Sequence, residues 1–515
     1  MSEATHKNVE VVSTKGDHDA GRLSNEKNLS NVDSFHHDEA AQIVAEYVAA
    51  GGSEEWSELE EKNLVRKIDR RLLPVLAFTY MLMWYDKGIL AQAAIFGLRE
   101  DLKLQVGNRY SFASSIFYIG YLIGCWPLTM LAQRFPVARV VAALVTIWGI
   151  CVILTAVCFN YRGLYVQRFF LGFLESAVAP IFMLICGGWY KKVEQPMRVG
   201  VFSAFVGPAA IMSILINYGF GKIQGSLAPW KTMFLFAGAV TILWGLLIFF
   251  ILPADPISAG GLTARERYIA VARIRSNNAG VRNTHIKLDQ IKEALTDLKF
   301  WLCFFFTVCV LIANGPASSF VPIIIKGFGF GVFETMLLSI PVGVIITLET
   351  LAISWVALKR PMWRCWISIA CQFVAIMAAL LLWLLPLSER GGLLFGIFII
   401  AFGIPPYILM TNTHVANTAG YTKRATSSAG IYVAYCVGNI IGPLVFLEHE
   451  APRYRTGFIV LFSSTIAAVL LLLAYRYVCL SQNRKRDRDG FAESFEHAYE
   501  DDLTDKKNPH FRYMV

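Results

Sequence analysis

Arg168 stands seven residues before Glu175 inside an apolar stretch, RGLYVQRFFLGFLESAVAPIFMLICGGWY, residues 162–190. That stretch is long enough to cross a bilayer as a helix, where an ionised side chain is costly unless it faces a partner or a polar cavity. Seven residues advance a helix by nearly two turns, so the guanidinium and the carboxylate share one face, about 10 Å apart along the axis. A fixed cation beside a titratable acid suits an organic anion and a proton; the competing reading is an ion pair that pins two helices together. Asp86 and Lys87 lie about 15 residues into another apolar run, roughly 22 Å from its start, a depth that matches Arg168. The expectation is that Asp86, Lys87, Arg168 and Glu175 line one polar cavity, with Lys87 or Arg168 holding a carboxylate and an acid changing protonation. Desolvation raises a carboxylate's pKa and a neighbouring cation lowers it, so occupancy of Arg168 by substrate would toggle Glu175.

Other intramembrane polar residues carry weaker signals. Glu349 and His414 are candidates for proton relay, although a lone buried histidine is more often a packing group. Asn314, Asn412 and Asn439 suit either hydrogen bonds to a substrate or bonds between helices. Gly120 and Gly124 permit close helix approach. Gly315-Pro316, the 403–406 run Gly-Ile-Pro-Pro and Gly442-Pro443 are expected to interrupt their spans.

Twelve elements are available to position these groups. The chain has 515 residues, of which 55% are hydrophobic and 17% charged, with a mean hydropathy of +0.49, which excludes a soluble globule. Apolar runs predict spans near 72–94, 109–132, 136–158, 162–189, 197–220, 230–252, 299–324, 332–357, 363–385, 391–413, 425–447 and 456–479. The fold class is therefore all-α and polytopic, with two six-helix bundles at 66–253 and 299–480 joined by a polar linker at 254–298. The arrangement matches transporters built from repeated bundles, which hold substrate near the midplane.

Short-loop Lys and Arg are balanced between the two sides. Arg66, Lys67, Arg70 and Arg71 before the first span, Arg484, Lys485, Arg486 and Arg488 after the last, and the basic linker break the tie and place both ends in the cytoplasm. Residues 1–65 read as a tail too polar to fold alone, without a signal peptide. His36 and His37 beside Asp38 and Glu39 are a weak metal motif, more simply a solvated tail. Residues 51–73 read as an amphipathic helix capped by Ser53, and 481–515 as a cytoplasmic tail. The net charge of +9 sits at membrane ends, so nucleic acid is not an expected partner. The ten cysteines show no metal or disulfide spacing. No catalytic constellation and no phosphate loop appears, so an enzyme, a cofactor and an ATP-driven pump are all unexpected; a gradient must supply the energy.

Several segments together carry a family resemblance: YDKGILAQAAIFGLREDL at 85–102, SIFYIGYLIG through QRFP at 115–136, RFFLGFLES with Pro180, and WYKKVEQPMR at 189–198. LPADP with LTARER at 252–267, NTAGYTKR at 417–424, GNIIGP and EAPRYRTG at 438–457 continue the match. The chain resembles the major facilitator superfamily, its anion:cation symporter group, and within that the fungal allantoate permease-like branch. The resemblance implies twelve helices in two pseudosymmetric bundles and proton-coupled uptake, at the plasma membrane, of ureido acids, vitamin acids or short peptides by a monomer. It also implies proton coupling at Asp86 and Glu175, and anion binding at Lys87 and Arg168. Lys87 stands where many relatives carry arginine, which makes Arg168 the better carboxylate fork. Gln133 and Pro136 replace the usual aspartate and glycine of the loop between the second and third spans, leaving Arg134 and Arg139 as its gating residues. Export by proton antiport, and a receptor that signals without transport, are the competing readings.

Overall fold

A computed structural model describes residues 55–515 except 192–193, 224, 254, 257–258, 279–286 and 491–502, together with Tyr47, Ala49, Gly51 and Ser53. His36 and His37 lie outside the described residues. The chain folds into α-helices joined by short turns: α1 Glu58–Ala93, α2 Arg109–Arg134, α3 Val137–Leu154, α4 Tyr161–Glu175, α5 Val178–Trp189, α6 Gln195–Ser203, α7 Val206–Gly221 and α8 Pro229–Ile251 form the first half. The linker supplies α9 Ala264–Asn278 and α10 Leu288–Leu295. The second half is α11 Leu298–Ser319, α12 Val321–Gly327, α13 Val332–Lys359, α14 Arg364–Leu384, α15 Arg390–Ile399, α16 Pro405–Ala416, α17 Tyr421–Leu444 and α18 Arg455–Arg488.

Each of the twelve expected spans coincides with a helix or a pair of stacked helices. Among the described residues, ten helices are long and apolar enough to cross a membrane. The first and eleventh spans are helical but fall outside this set: α1 carries Asp86 and Lys87, and α17, uncharged after Arg424, is diluted by Thr426, Ser427, Ser428, Tyr432, Tyr435 and Asn439. The amphipathic helix expected before the first span is not separate: α1 runs unbroken from Glu58 through Pro74 to Ala93. Its cap is Ser57, not Ser53. The Ser57 hydroxyl accepts the Glu60 N–H at 3.2 Å and the Glu60 carboxylate accepts the Ser57 N–H at 2.9 Å, the reciprocal capping box, with Glu58, Glu60 and Glu61 at the positive end of the helix dipole. Gly97, at φ 101°, turns the chain out of the first span, a conformation that a side chain disfavours.

Close crossings hold each half together. A Cβ on Gly172 of α4 would overlap the Phe117 carbonyl oxygen of α2, and one on Gly120 of α2 would overlap that of Phe169. In the second half a Cβ on Gly315 of α11 would lie 2.6 Å from Pro443 of α17. The expected interruptions differ in outcome. The tenth span breaks where expected, between α15 and α16, across a 3-10 turn at Ile400–Gly403. The seventh and eleventh do not: α11 continues through Gly315-Pro316, and α17 through Gly442-Pro443. Gly315, Gly442 and Pro443 instead serve close approach of the two helices. Two further breaks, after Glu175 and after Ser203, were not expected from sequence; each precedes a proline, Pro180 and Pro208, whose missing N–H leaves the carbonyls of Ser176 and Ala204 without a helical donor.

The halves meet along α2 with α17 and α7 with α13. With six spans in each half, the start of α1, the linker and the end of α18 lie at one end of the bundle, here the terminal face; the opposite end is the distal face. Hydrogen bonds between the halves gather at the distal end. Tyr110 Oη donates to the Ser319 carbonyl at 2.7 Å, Ser111 Oγ to that of Phe446 at 3.0 Å, and Ser115 Oγ to that of Ile440 at 2.7 Å. The hydroxyls of Ser114 and Ser319 meet at 2.6 Å, and Arg99 pairs with Glu448. At the terminal face, ion pairs run within a half and its share of the linker. Arg198 grips Asp69 by two N–H groups at 3.0 and 3.2 Å, Arg273 reaches Glu194, and Lys67 reaches Glu266 at 2.7 Å.

Candidate functional site

Residues 86 and 87 are adjacent on α1 and therefore about 100° apart around it. Lys87 turns toward α4, where its Nζ lies 3.7 Å from Glu175 Oε2; the two side chains are 10% and 0% exposed. That separation is an ion contact rather than a hydrogen bond, and neither Glu175 oxygen has a hydrogen-bond partner among the described residues. Three aromatic faces surround the ammonium: Trp84 and Tyr121 at 5.1 Å and Phe117 at 5.4 Å. Such faces attract a cation that water does not reach.

Arg168 does not pair with Glu175. It is buried, its guanidinium carbon 5.2 Å from the centre of the Phe117 ring, and its Nε and Nη1 have no hydrogen-bond partner among the described residues. Phe117 thus lies under both cations. The ion pair considered as the bland alternative for Arg168 and Glu175 is absent; the carboxylate is engaged by Lys87, and the guanidinium keeps N–H donors in a poorly solvated place. Buried donors without acceptors are rare and costly, and a planar guanidinium matches a carboxylate at two points.

Asp86 faces the other way, into the first half. Its Oδ2 accepts from Trp148 Nε1 of α3 at 2.8 Å and from Thr241 Oγ1 of α8 at 3.4 Å, while Oδ1 has no partner among the described residues. The four expected residues therefore form two adjacent groups: Lys87, Glu175 and Arg168 around Phe117, and Asp86 behind α1 with Trp148 and Thr241. Trp148 and Thr241 were not singled out by sequence, since either passes for packing in an apolar run. A further network lies deeper between α1 and α7: Gln92 Nε2 donates to Ser213 Oγ at 2.8 Å, Asn217 Nδ2 to Gln92 Oε1, and Tyr85 Oη to Asn217 Oδ1 at 3.2 Å. Gln92 and Asn217 were legible as polar groups within spans, the same signal that marked Asn314.

The remaining candidates lie apart. Asn314 Nδ2 donates to Asn439 Oδ1 at 2.8 Å, and Asn439 Nδ2 to the Tyr435 carbonyl at 2.9 Å, so this pair bonds α11 to α17. Glu349 is buried in α13 with neither oxygen partnered among the described residues, and is not in contact with the Lys87 group. His414, near the terminal end of α16, packs against Phe300 and Tyr475, and its Nδ1 lies 3.4 Å from Tyr475 Oη. Arg134 and Arg139 are exposed at the terminal end of α2 and α3, with no ion pair among the described residues. Among the described residues, ion pairs on that face include Arg198 with Asp69, Arg273 with Glu194 and Lys67 with Glu266. Among the described residues, no group of three His, Cys, Asp or Glu is placed to hold a metal.

Comparison with known proteins bears on this arrangement. A profile of the Major Facilitator Superfamily matches residues 76–443. The chain is 35% identical to the allantoate permease of Saccharomyces cerevisiae, covering 88% of this chain and 87% of that one. It is 34% identical to the thiamine pathway transporter THI73 of the same yeast, covering 93% and 91%. The fold is shared with a bacterial homologue of the human lysosomal transporter Spinster in an inward-facing, unoccupied conformation, at TM-score 0.61 and 15% identity over 82% of this chain and 98% of that one. It is shared also with a D-xylose–proton symporter, at TM-score 0.60 and 13% identity over 79% and 96%. These relatives are transporters, not enzymes, and the helices described above are the all-α scaffold of such proteins: the chain belongs to the Major Facilitator Superfamily.

Proposed function

We propose that the chain imports a small organic anion together with a proton by alternating access. The observation that carries this reading is the buried Lys87–Glu175 contact beside an Arg168 whose N–H donors are free to take a carboxylate. Arg168 binds the anion through its planar fork. Glu175 exchanges its proton as Lys87 moves between it and the solute, and Phe117 and Tyr121 keep water from screening both charges. Asp86, hydrogen-bonded by Trp148 and Thr241, is a second acid within electrostatic reach of Glu175 and Arg168. The allantoate permease supports a carboxylate cargo, with ureido acids, vitamin acids and short peptides as the classes to test. The bundles at 66–253 and 299–480 are the two rocking bodies and 254–298 their tether. We assign the terminal face to the cytoplasm from the basic residues that border it, and the plasma membrane as the site of action, with the protein working as a monomer.

The test is uptake of labelled carboxylates by a permease-deficient yeast expressing the protein at acidic pH. Accumulation that rises as external pH falls toward about 5 and collapses with a protonophore is expected. Accumulation that survives the protonophore while cellular ATP is held constant would exclude proton coupling.

A further inference from the structure

Beyond α18 the chain returns to the terminal face of the second half, where residues 503–515 lie against α10, α11, α17, α18 and the turn after α16. The main chain of this segment is read twice by asparagines. Asn483 of α18 takes the Tyr513 N–H on its Oδ1 at 3.0 Å and donates its Nδ2 to the Tyr513 carbonyl at 2.9 Å. Asn417, just after α16, does the same for the next residue, with the Met514 N–H on Oδ1 at 2.7 Å and Nδ2 to the Met514 carbonyl at 2.8 Å. Arg486 adds bonds to the carbonyls of Phe511 and Asp505. An amide side chain that meets both the N–H and the C=O of one residue recognises extended backbone whatever its side chain, as an adjacent strand does.

Side chains supply the rest of the seat. Tyr513 and Val515 are 2% and 1% exposed and pack in the apolar cluster of Cys303, Cys365, Met410 and Cys479. Asp505 is fully buried, its carboxylate taking Lys423 Nζ at 2.6 Å, Lys299 Nζ at 3.1 Å and Tyr513 Oη at 2.9 Å. Burial opposes that charge, yet the two lysines outweigh it and hold the Asp505 carboxyl below its usual range. Thr504 Oγ1 donates to Glu293 of the linker helix α10 at 3.0 Å. Main-chain clasps, an apolar pocket and two lysines that seat the Asp505 carboxylate together make a peptide-binding groove.

The helices gripped here also carry the distal seam. Lys299 and Ser319 lie at opposite ends of α11, while Lys423 at the start of α17 is matched by Ile440 near its end and Phe446 just beyond. We propose that the terminal face of the second half is a peptide-binding groove with residues 503–515 as its resident ligand, and that docking makes α11, the α16–α17 turn and α18 move as one block, which slows opening of the distal seam. Clamped at the terminal end, α11 and α17, already joined by the Asn314–Asn439 bond, must carry α18 and the docked segment with them as they leave their distal partners; released, the pair leaves over a lower barrier. The inference rests on the seam and the groove, whichever solute is carried.

The experiment uses the full chain in lipid nanodiscs with Ser114→Cys as a reporter, its alkylation by a maleimide read by peptide mass spectrometry apart from the ten native cysteines. Hydrogen exchange reports the segment. Met514→Pro removes the N–H that Asn417 accepts while leaving the groove intact, and Asn483→Ala removes the other clasp from the groove side. In the parent, the Tyr513 and Met514 amides should be protected. Each variant should speed exchange at the remaining amides by about tenfold, the loss of one or two hydrogen bonds, and raise Ser114→Cys alkylation severalfold with little change in thermal midpoint. Amides that exchange at free-peptide rates in the parent would overturn the docking. Should neither variant release the segment, deletion of residues 503–515 replaces them. A segment released by any route while alkylation stays unchanged, or falls, would overturn its hold on the seam.

Discussion

Lys87 owes its tolerance of burial to more than Glu175, and this separates two roles for the acid. Removing one partner of a buried ion pair ordinarily costs several kcal/mol because a charge is stranded. Here Trp84, Phe117 and Tyr121 remain against the ammonium, each contributing about 0.5–2 kcal/mol in a desolvated site. Glu175→Gln should therefore leave protein abundance within about twofold of the parent. An amide mimics the protonated acid, so counterflow of labelled solute should persist while accumulation against a gradient disappears. Full pH-driven accumulation at normal abundance would move coupling to Asp86. Arg168 tests the other charge: Arg168→Lys keeps the cation and loses the fork, and KM should rise about tenfold or more, while Arg168→Ala should abolish uptake. An unchanged KM in the lysine variant would hand the anion to Lys87. The charges themselves were legible from sequence, because a titratable group in an apolar run is conspicuous. Their partners were not: seven-residue spacing placed Arg168 and Glu175 on one face but could not reveal that Lys87 reaches the carboxylate first. Nor could adjacency in sequence reveal that Asp86 turns to Trp148.

At the scale of elements, the site depends on how closely α4 approaches α2, since Phe117 of α2 lies beneath both Lys87 and Arg168 of its neighbours. Gly172 sets that approach. A Cβ there has no room before the Phe117 carbonyl, so Gly172→Ala should push the helices apart, cost about 1–3 kcal/mol and lower the thermal midpoint together with uptake. Gly187, in the last turn of α5, has open space around it, and Gly187→Ala should leave both unchanged or gain about 0.5–1 kcal/mol from helix propensity. Equal losses in the two variants, read by thermal unfolding in detergent, would show that overpacking is not the cause. Hydropathy made the helices legible because twenty apolar residues have few other uses. It did not locate the breaks after Glu175 and Ser203, where the span stays apolar throughout and the signal is a single proline each, Pro180 and Pro208. The seat of residues 503–515 was equally hidden: Asn417, Asn483 and Asp505 are ordinary polar residues until the fold brings them within hydrogen-bond distance.

Over the whole molecule, protons act at two places with opposite effect, which sets a shape for the pH profile. On the proposed mechanism, in which Glu175 loads a proton, import is drawn forward as the outside acidifies. The distal seam responds in the other direction. Burial pushes the Glu448 carboxyl up, and Arg99 offsets this only in part, with Glu100 adding a like charge nearby. In an open seam the same group would return toward its ordinary value of 4.5. The closed seam therefore binds the Glu448 proton more tightly than the open one; its proton-linked stabilisation is fully present below 4.5 and is lost as pH rises through the raised value. Acid thus keeps the distal side shut while it drives the carrier, and uptake should pass through a maximum as external pH is lowered. Glu448→Gln cannot ionise, so its seam has no such dependence. Alkylation of Ser114→Cys in the parent, divided by that in the glutamine variant, should be near one well below pH 4.5, climb as pH rises from there, and level off once the parent carboxyl ionises in its buried setting. Uptake by the parent should fall on the acid limb in the same interval in which this ratio returns to one. A ratio that stays flat, or an acid limb unchanged in Glu448→Gln, would place the limit on a different group, and the seam would then be held by its serine and tyrosine hydrogen bonds without a proton-sensitive part.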